Sequence, residues 1–112
     1  MLRPGDVVDL DLGMPSGNEA GLRRLAVVVT AARVLRGGPN VVQVVPLTRA
    51  VRDSGTEVLV DSDDHNGLDV RSSAQCQHVR SVATTRIHRS RGNVGPALLG
   101  EIRETLALLL DV

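Results

Sequence analysis

Residues 17–29 read GNEAGLRRLAVVV. A polar stretch bounded by Gly17 and Gly21 meets two arginines, Arg23 and Arg24, and then a run of aliphatic side chains. Glycine permits backbone shapes and close approaches that other residues resist, so 17–21 reads as a loop. The Val27–Val29 run reads as a buried strand, although a run this short does not by itself separate strand from buried helix. Glu19, Arg23 and Arg24 therefore stand where a loop meets a rigid element, a common place for a site. The structural alternative is an ordinary hairpin loop with a solvated charge pair.

The flanking segments decide for strand. Residues 41–49, VVQVVPLTR, are β-rich and interrupted by Pro46, which removes a backbone donor and suits an edge or a strand end. Residues 5–12 alternate, with Val8, Leu10 and Leu12 on one face and Asp9 and Asp11 on the other, as in a half-buried strand. Strands are expected over 24–31, 41–47, 56–60 and 72–82, with a short strand or turn at 84–88. Residues 33–40, containing Gly37-Gly38-Pro39, read as a turn-rich connection, 61–67 as an acidic loop, and 92–95 as a loop. Pro96 suits a first helical turn, and Leu98, Leu99, Ile102, Leu106 and Leu109 recur at helical spacing over 97–110. Several short strands and one terminal helix give a mainly β fold with a C-terminal helix, arranged as a small, partly open barrel.

The chain has 112 residues and no Phe, Tyr or Trp. That length suits one domain over 1–112, with a core of Val, Leu, Ile and Ala. Such side chains each bury less area than aromatics, which makes a monomer marginal and favours association. The lone Cys76 has no internal disulfide partner, which fits a reducing cytoplasm, and it reads as a small buried hydrophobe. The aliphatic runs fall far short of the ~20 residues of a membrane span, and no signal peptide is apparent.

Formal net charge is zero, yet the charges are segregated, and every basic residue is Arg apart from three histidines. Residues 17–52 hold six arginines against Glu19 alone, 53–70 hold six acids, and 71–91 hold five arginines and no acid. Two basic blocks that met in the fold would form one phosphate-binding groove, and the planar guanidinium fork suits phosphate. Solvated faces and an arginine-rich composition are the alternative.

Other motifs carry less. Asp61-Ser62-Asp63-Asp64-His65 lacks the calcium-loop pattern and reads as a solvated tip, so no metal site is expected. Ser72 and Ser73 lack a nucleophile-elbow context, and no Gly-rich phosphate loop with Lys exists.

In order and spacing, several segments resemble the MazF/PemK toxin family. These are Gly5-Asp6-Val7-Val8 with Asp11-Leu12, the loop from Gly17 through Glu19 to Arg23 and Arg24, and Val45-Pro46-Leu47-Thr48. They continue with Asp69, Ser72, Val79-Arg80-Ser81, and the tail Leu110-Asp111-Val112. Three positions depart from the family pattern: Val8 replaces an aromatic, Leu25 a proline, and Gln77-His78 an acidic residue followed by Gln. The resemblance implies an SH3-like barrel of the MazF/PemK/CcdB type and a metal-independent, sequence-specific endoribonuclease without cofactors. It cuts single-stranded RNA through the neighbouring 2′-hydroxyl, leaving a 2′,3′-cyclic phosphate and a 5′-hydroxyl. A homodimer and a cognate antitoxin with an acidic tail are implied as well.

On this reading Arg24 stabilises the phosphate, Thr48 holds a phosphate oxygen, and Glu19 orients Arg24 or takes the 2′-hydroxyl proton. Arg23 stays open as the working arginine. Asn18, Arg23, Arg49, Gln77, His78 and Arg80 are the expected RNA contacts, because the chain has no aromatic for stacking. His78 reads either as an acid–base group or as a satisfied strand histidine. Two alternatives share the fold: a gyrase-poisoning toxin, and a non-catalytic barrel that binds RNA or protein.

Overall fold

The computed structural model describes residues 1–11 and 23–112. Expectations for Leu12, Gly17, Asn18, Glu19 and Gly21 fall outside the described residues. The elements run β1 (Asp6–Asp11), β2 (Arg23–Val28), α1 (Ala32–Leu35), β3 (Val41–Thr48), β4 (Glu57–Val60), β5 (Ser72–Gln75), β6 (Arg80–Ala83), β7 (Ile87–Asn93) and α2 (Gly95–Leu110). The fold is mainly antiparallel β with a C-terminal helix, as expected. The strand order is β4-β5-β3-β2-β1-β7, with β6 also paired to β3.

The long β3 organises the sheet. One edge pairs with β2 over Val44–Pro46. The other edge is shared, β6 taking Val41–Val44 and β5 taking Leu47 and Thr48. Alternation along β1, β2 and β3 sends side chains to two cores. Val7, Val27, Val45 and Leu47 face α2 with Leu99 and Ile102, while Val8, Leu10, Ala26, Val28, Val42 and Val44 form the second cluster. Both faces of β1 are therefore buried at its start, where the alternation had suggested one solvated face. Asp6 is among the buried residues because the Arg3 N–H and the Asn93 Nδ2 amide donate to its carboxylate at 2.8 and 3.0 Å.

Several expectations need correction. The strand expected over 72–82 is broken by a 3-10 turn at Cys76–His78. The turn drops Cys76 into the core beside α2, where its thiol sits near the Ile102 carbonyl. The connection expected over 33–40 begins within the single-turn α1, Ala32–Leu35. Residues 84–86 are a 3-10 turn, and β7 then runs to Asn93, through much of the loop expected at 92–95. Helix α2 begins at Gly95, whose N–H is capped by Asn93 Oδ1 at 2.7 Å. Of the leucine stripe, Leu99 and Ile102 are buried, Leu98 and Leu106 pack at the core's margin, and Leu109 is exposed.

Candidate active site

Arg24 lies near the start of β2, paired with Leu10 of β1. Its guanidinium reaches across β3, donating from Nη2 to the Leu47 carbonyl at 3.3 Å and to Gln75 Oε1 on β5 at 3.0 Å. One side of it faces an open cleft of about 920 Å³, lined also by Arg23, Thr48, Arg49, His88, Arg89 and Arg91. The other side faces a smaller cleft of about 330 Å³ with Leu10, Pro46, Gln75, His78 and Arg80. Thr48 ends β3, and its Oγ1 accepts the Ala50 N–H at 3.2 Å, leaving its own O–H to donate.

The two basic blocks do meet. Arg23, Arg24 and Arg49 come from the first, Arg89 and Arg91 from the second, and all five line the large cleft. The cause is irregular pairing of β7 with β1. Val7 faces Gly92 but Val8 faces Ser90, and Asp9 faces Arg89 but Leu10 faces Ile87. Arg91 and His88 are thus extra residues in β7. Such bulges re-aim side chains, and here they bring His88, Arg89 and Arg91 to one cleft that a regular strand would split between two faces. Gly92 permits this geometry, because a Cβ there would collide with the His65 carbonyl and the Asn66 backbone.

Asp9 projects into the same cleft and is bridged by Arg89 and Arg91, each at 3.1 Å. Burial alone would raise its pKa, but the hydrogen bonds and charges of Arg91 and Arg89 together hold it below the usual carboxylate range. It offsets part of the positive charge and fixes both guanidinium planes. His88 Nε2 lies 3.5 Å from Asp11 Oδ2.

Gln77, expected on the RNA face, lines neither cleft. Its Nε2 donates to Glu57 Oε2 at 2.7 Å. Arg52 Nη2 at 2.7 Å and Ser73 Oγ at 3.0 Å complete the ring around this fully covered carboxylate. Hydrogen bonds from Gln77 and then Arg52 pull Glu57 down to about 2. The network ties the segment after Thr48 to β5 and to the turn carrying His78. Burial pushes the Cys76 thiol up to about 11, so it is a packing residue.

Of the residues expected from sequence, Arg23, Arg24, Thr48 and Arg49 share the large cleft, and His78 and Arg80 share the small one with Arg24. Asn18 and Glu19 lie outside the described residues. Sequence reasoning missed Gln75, His88 and Asp9 as site residues. Bulges leave no periodic signal, and Gln75 is recognisable only once β5 and β2 are known to flank β3.

A family model described as PemK-like, MazF-like toxin of type II toxin-antitoxin system matches residues 3–110. The chain belongs to this toxin family. It is 36% identical to endoribonuclease MazF9 of Mycobacterium tuberculosis (strain ATCC 25618 / H37Rv) over 116 residues, covering 100% of this chain and 98% of that protein. Among solved structures, the M. tuberculosis toxin MazF-mt6 superposes with a TM-score of 0.74 at 25% identity, over 98% of both chains. A MazE–MazF crystal structure from Deinococcus radiodurans gives 0.78 at 25% identity, over 97% of this chain and 95% of that one. In this MazF-like toxin no described helix is long and apolar enough to cross a membrane.

Proposed function

We propose that this toxin is a cytoplasmic endoribonuclease, acting as one domain over 1–112, that cuts single-stranded RNA without a metal. The observation that carries the reading is the convergence of Arg24, Thr48 and four further arginines on one cleft. RNA supplies its own nucleophile in the 2′-hydroxyl. The protein has to align that oxygen with the phosphorus, stabilise the crowded phosphorane, and handle one proton on each side. Arg24 is held by two acceptors and meets the non-bridging oxygens as a preorganised donor, which is worth more than a mobile one. Thr48 gives its hydroxyl hydrogen to a second phosphate oxygen. Arg23 and Arg49 carry the flanking phosphates.

Glu19 remains the proposed orienter of Arg24 or acceptor of the 2′-hydroxyl proton. His88 joins it, because an imidazole can serve as a general acid or base and this ring lines the cleft. Attack by the 2′-oxygen expels the 5′-oxygen, which leaves protonated as a 5′-hydroxyl, with a 2′,3′-cyclic phosphate on the other fragment. A cognate antitoxin with an acidic tail is the proposed inhibitor. MazF9 is named an endoribonuclease, and the Deinococcus structure is a MazE–MazF complex, which supports both parts of the reading.

Purified toxin incubated with single-stranded RNA and excess EDTA should yield a 2′,3′-cyclic phosphate and a 5′-hydroxyl. Strict dependence on Mg²⁺, or 5′-phosphate ends, would overturn the mechanism.

A further inference from the structure

We propose that the smaller cleft is a nucleobase pocket that selects a keto-bearing base, uracil or guanine, beside the cleaved phosphate, with Gln75 as the residue that sets the choice. The inference rests on the endoribonuclease reading and adds a base preference to it.

Three observations carry it. Arg24 lines both clefts, so a base in the small one lies next to a phosphate in the large one. The floor is apolar, made by the buried Leu10 and Pro46, and suits a planar ring in a chain with no aromatic to stack on. The rim is rich in donors. Arginine has no acceptor, so Gln75 must present Oε1 to Arg24, and that contact fixes the amide with its NH₂ turned away. No hydrogen bond engages this NH₂ among the described residues. Arg80 adds a guanidinium to the same rim, and His78 adds an imidazole.

Donors select acceptors. Uracil offers O4, and guanine offers O6 with N7 beside it, whereas cytosine and adenine place an exocyclic amine at the position of that oxygen. An amine facing the Gln75 amide and Arg80 would leave donors opposed and unpaired. Gln75 also couples reading to chemistry, since the amide that meets the base holds the guanidinium that meets the phosphate. Gln75→Glu separates the two: a carboxylate still accepts from Arg24 but has no donor to offer the base.

The experiment sequences the ends produced from a randomised single-stranded RNA pool by wild type, Gln75→Glu and Arg80→Gln. Wild-type ends should show uracil or guanine over cytosine and adenine by roughly tenfold at one position flanking the cut. In Gln75→Glu that position should lose the preference or turn to cytosine or adenine, with the other positions unchanged. Arg80→Gln should weaken the preference at the same position, and it carries the test if Gln75→Glu is inactive. Wild-type cleavage with no keto preference beside the cut, or unchanged end profiles in the active variants, would overturn the pocket while leaving the nuclease reading intact. No cleavage by wild type would overturn both.

Discussion

Arg24 and Arg23 are adjacent in sequence and unequal in structure. Both are exposed, but Arg24 is fixed by the Leu47 carbonyl and Gln75 and stands between two clefts, whereas Arg23 lines only the larger one. Arg24→Ala should therefore lower the cleavage rate at least ~100-fold, the scale of losing one preorganised transition-state donor. Arg24→Lys should recover little of it, since a single ammonium does not reproduce the fork that bonds two protein acceptors and the phosphate. Arg23→Ala should act mainly on binding and reduce the slope of log affinity against log salt by about 0.7, one phosphate contact on a single strand. Single-turnover rates and salt titrations check the pair. A reversal of the two effects would move the working arginine by one residue. The two positions were not separable from sequence, because adjacent residues at a loop–strand boundary become inequivalent only once the partners across the sheet are known.

At the scale of elements, β5, the turn after it, and β7 complete the site that β2 and β3 begin, and these were the least legible parts of the chain. The Val-rich β1, β2 and β3 follow from alternation and composition, and α2 from its spacing and Pro96. The break at Cys76–His78 is dictated by tertiary packing: Cys76 goes into the core, and Glu57 gathers Gln77, Arg52 and Ser73. No local pattern announces that network, and none announces the two bulges of β7. Both have measurable consequences. The carboxyl of Glu57 is depressed from 4.5 to about 2, so the folded state favours the charged form. Its contribution is fully present above about pH 4.5 and is lost as pH falls from there toward 2. Asp9, held low by Arg91 and Arg89, acts in the same direction. Acid unfolding followed by circular dichroism should therefore be shallower for Glu57→Gln than for wild type over that window, and an identical profile would remove Glu57 as the cause. For β7, Gly92→Ala should cost about 1–3 kcal/mol in chemical denaturation, because the new methyl meets the backbone of His65 and Asn66 rather than a side chain able to move. Activity should fall beyond what the lost stability explains, because the bulge at Arg91 and the cleft move together.

For the whole molecule, the aromatic-free core and the exposed end of α2 point to assembly. Leu108 and Leu110 are 79% and 61% exposed, and Val112 is 90% exposed. Sedimentation at micromolar concentration should report about twice the 11.9 kDa chain mass, and a monomer cleaving at full rate would remove the case for a functional dimer. The electrostatics are as uneven as the apolar surface. A chain of zero net charge gathers five arginines around one cleft, where Asp9 and Asp69 are the acids that line it among the described residues. A polyanion is drawn to that cleft whether its charges are phosphates or carboxylates. An acidic antitoxin segment and RNA should accordingly compete, each displacing the other from the same guanidiniums. The measurement is RNA binding by the Arg24→Ala protein, with and without the cognate antitoxin, at two salt concentrations. Antitoxin should raise the apparent Kd for RNA in proportion to its own occupancy, and added salt should weaken both ligands, because both rely on the same arginine charges, which salt screens. Simultaneous binding without mutual weakening would place the antitoxin on another surface and leave inhibition to a conformational route.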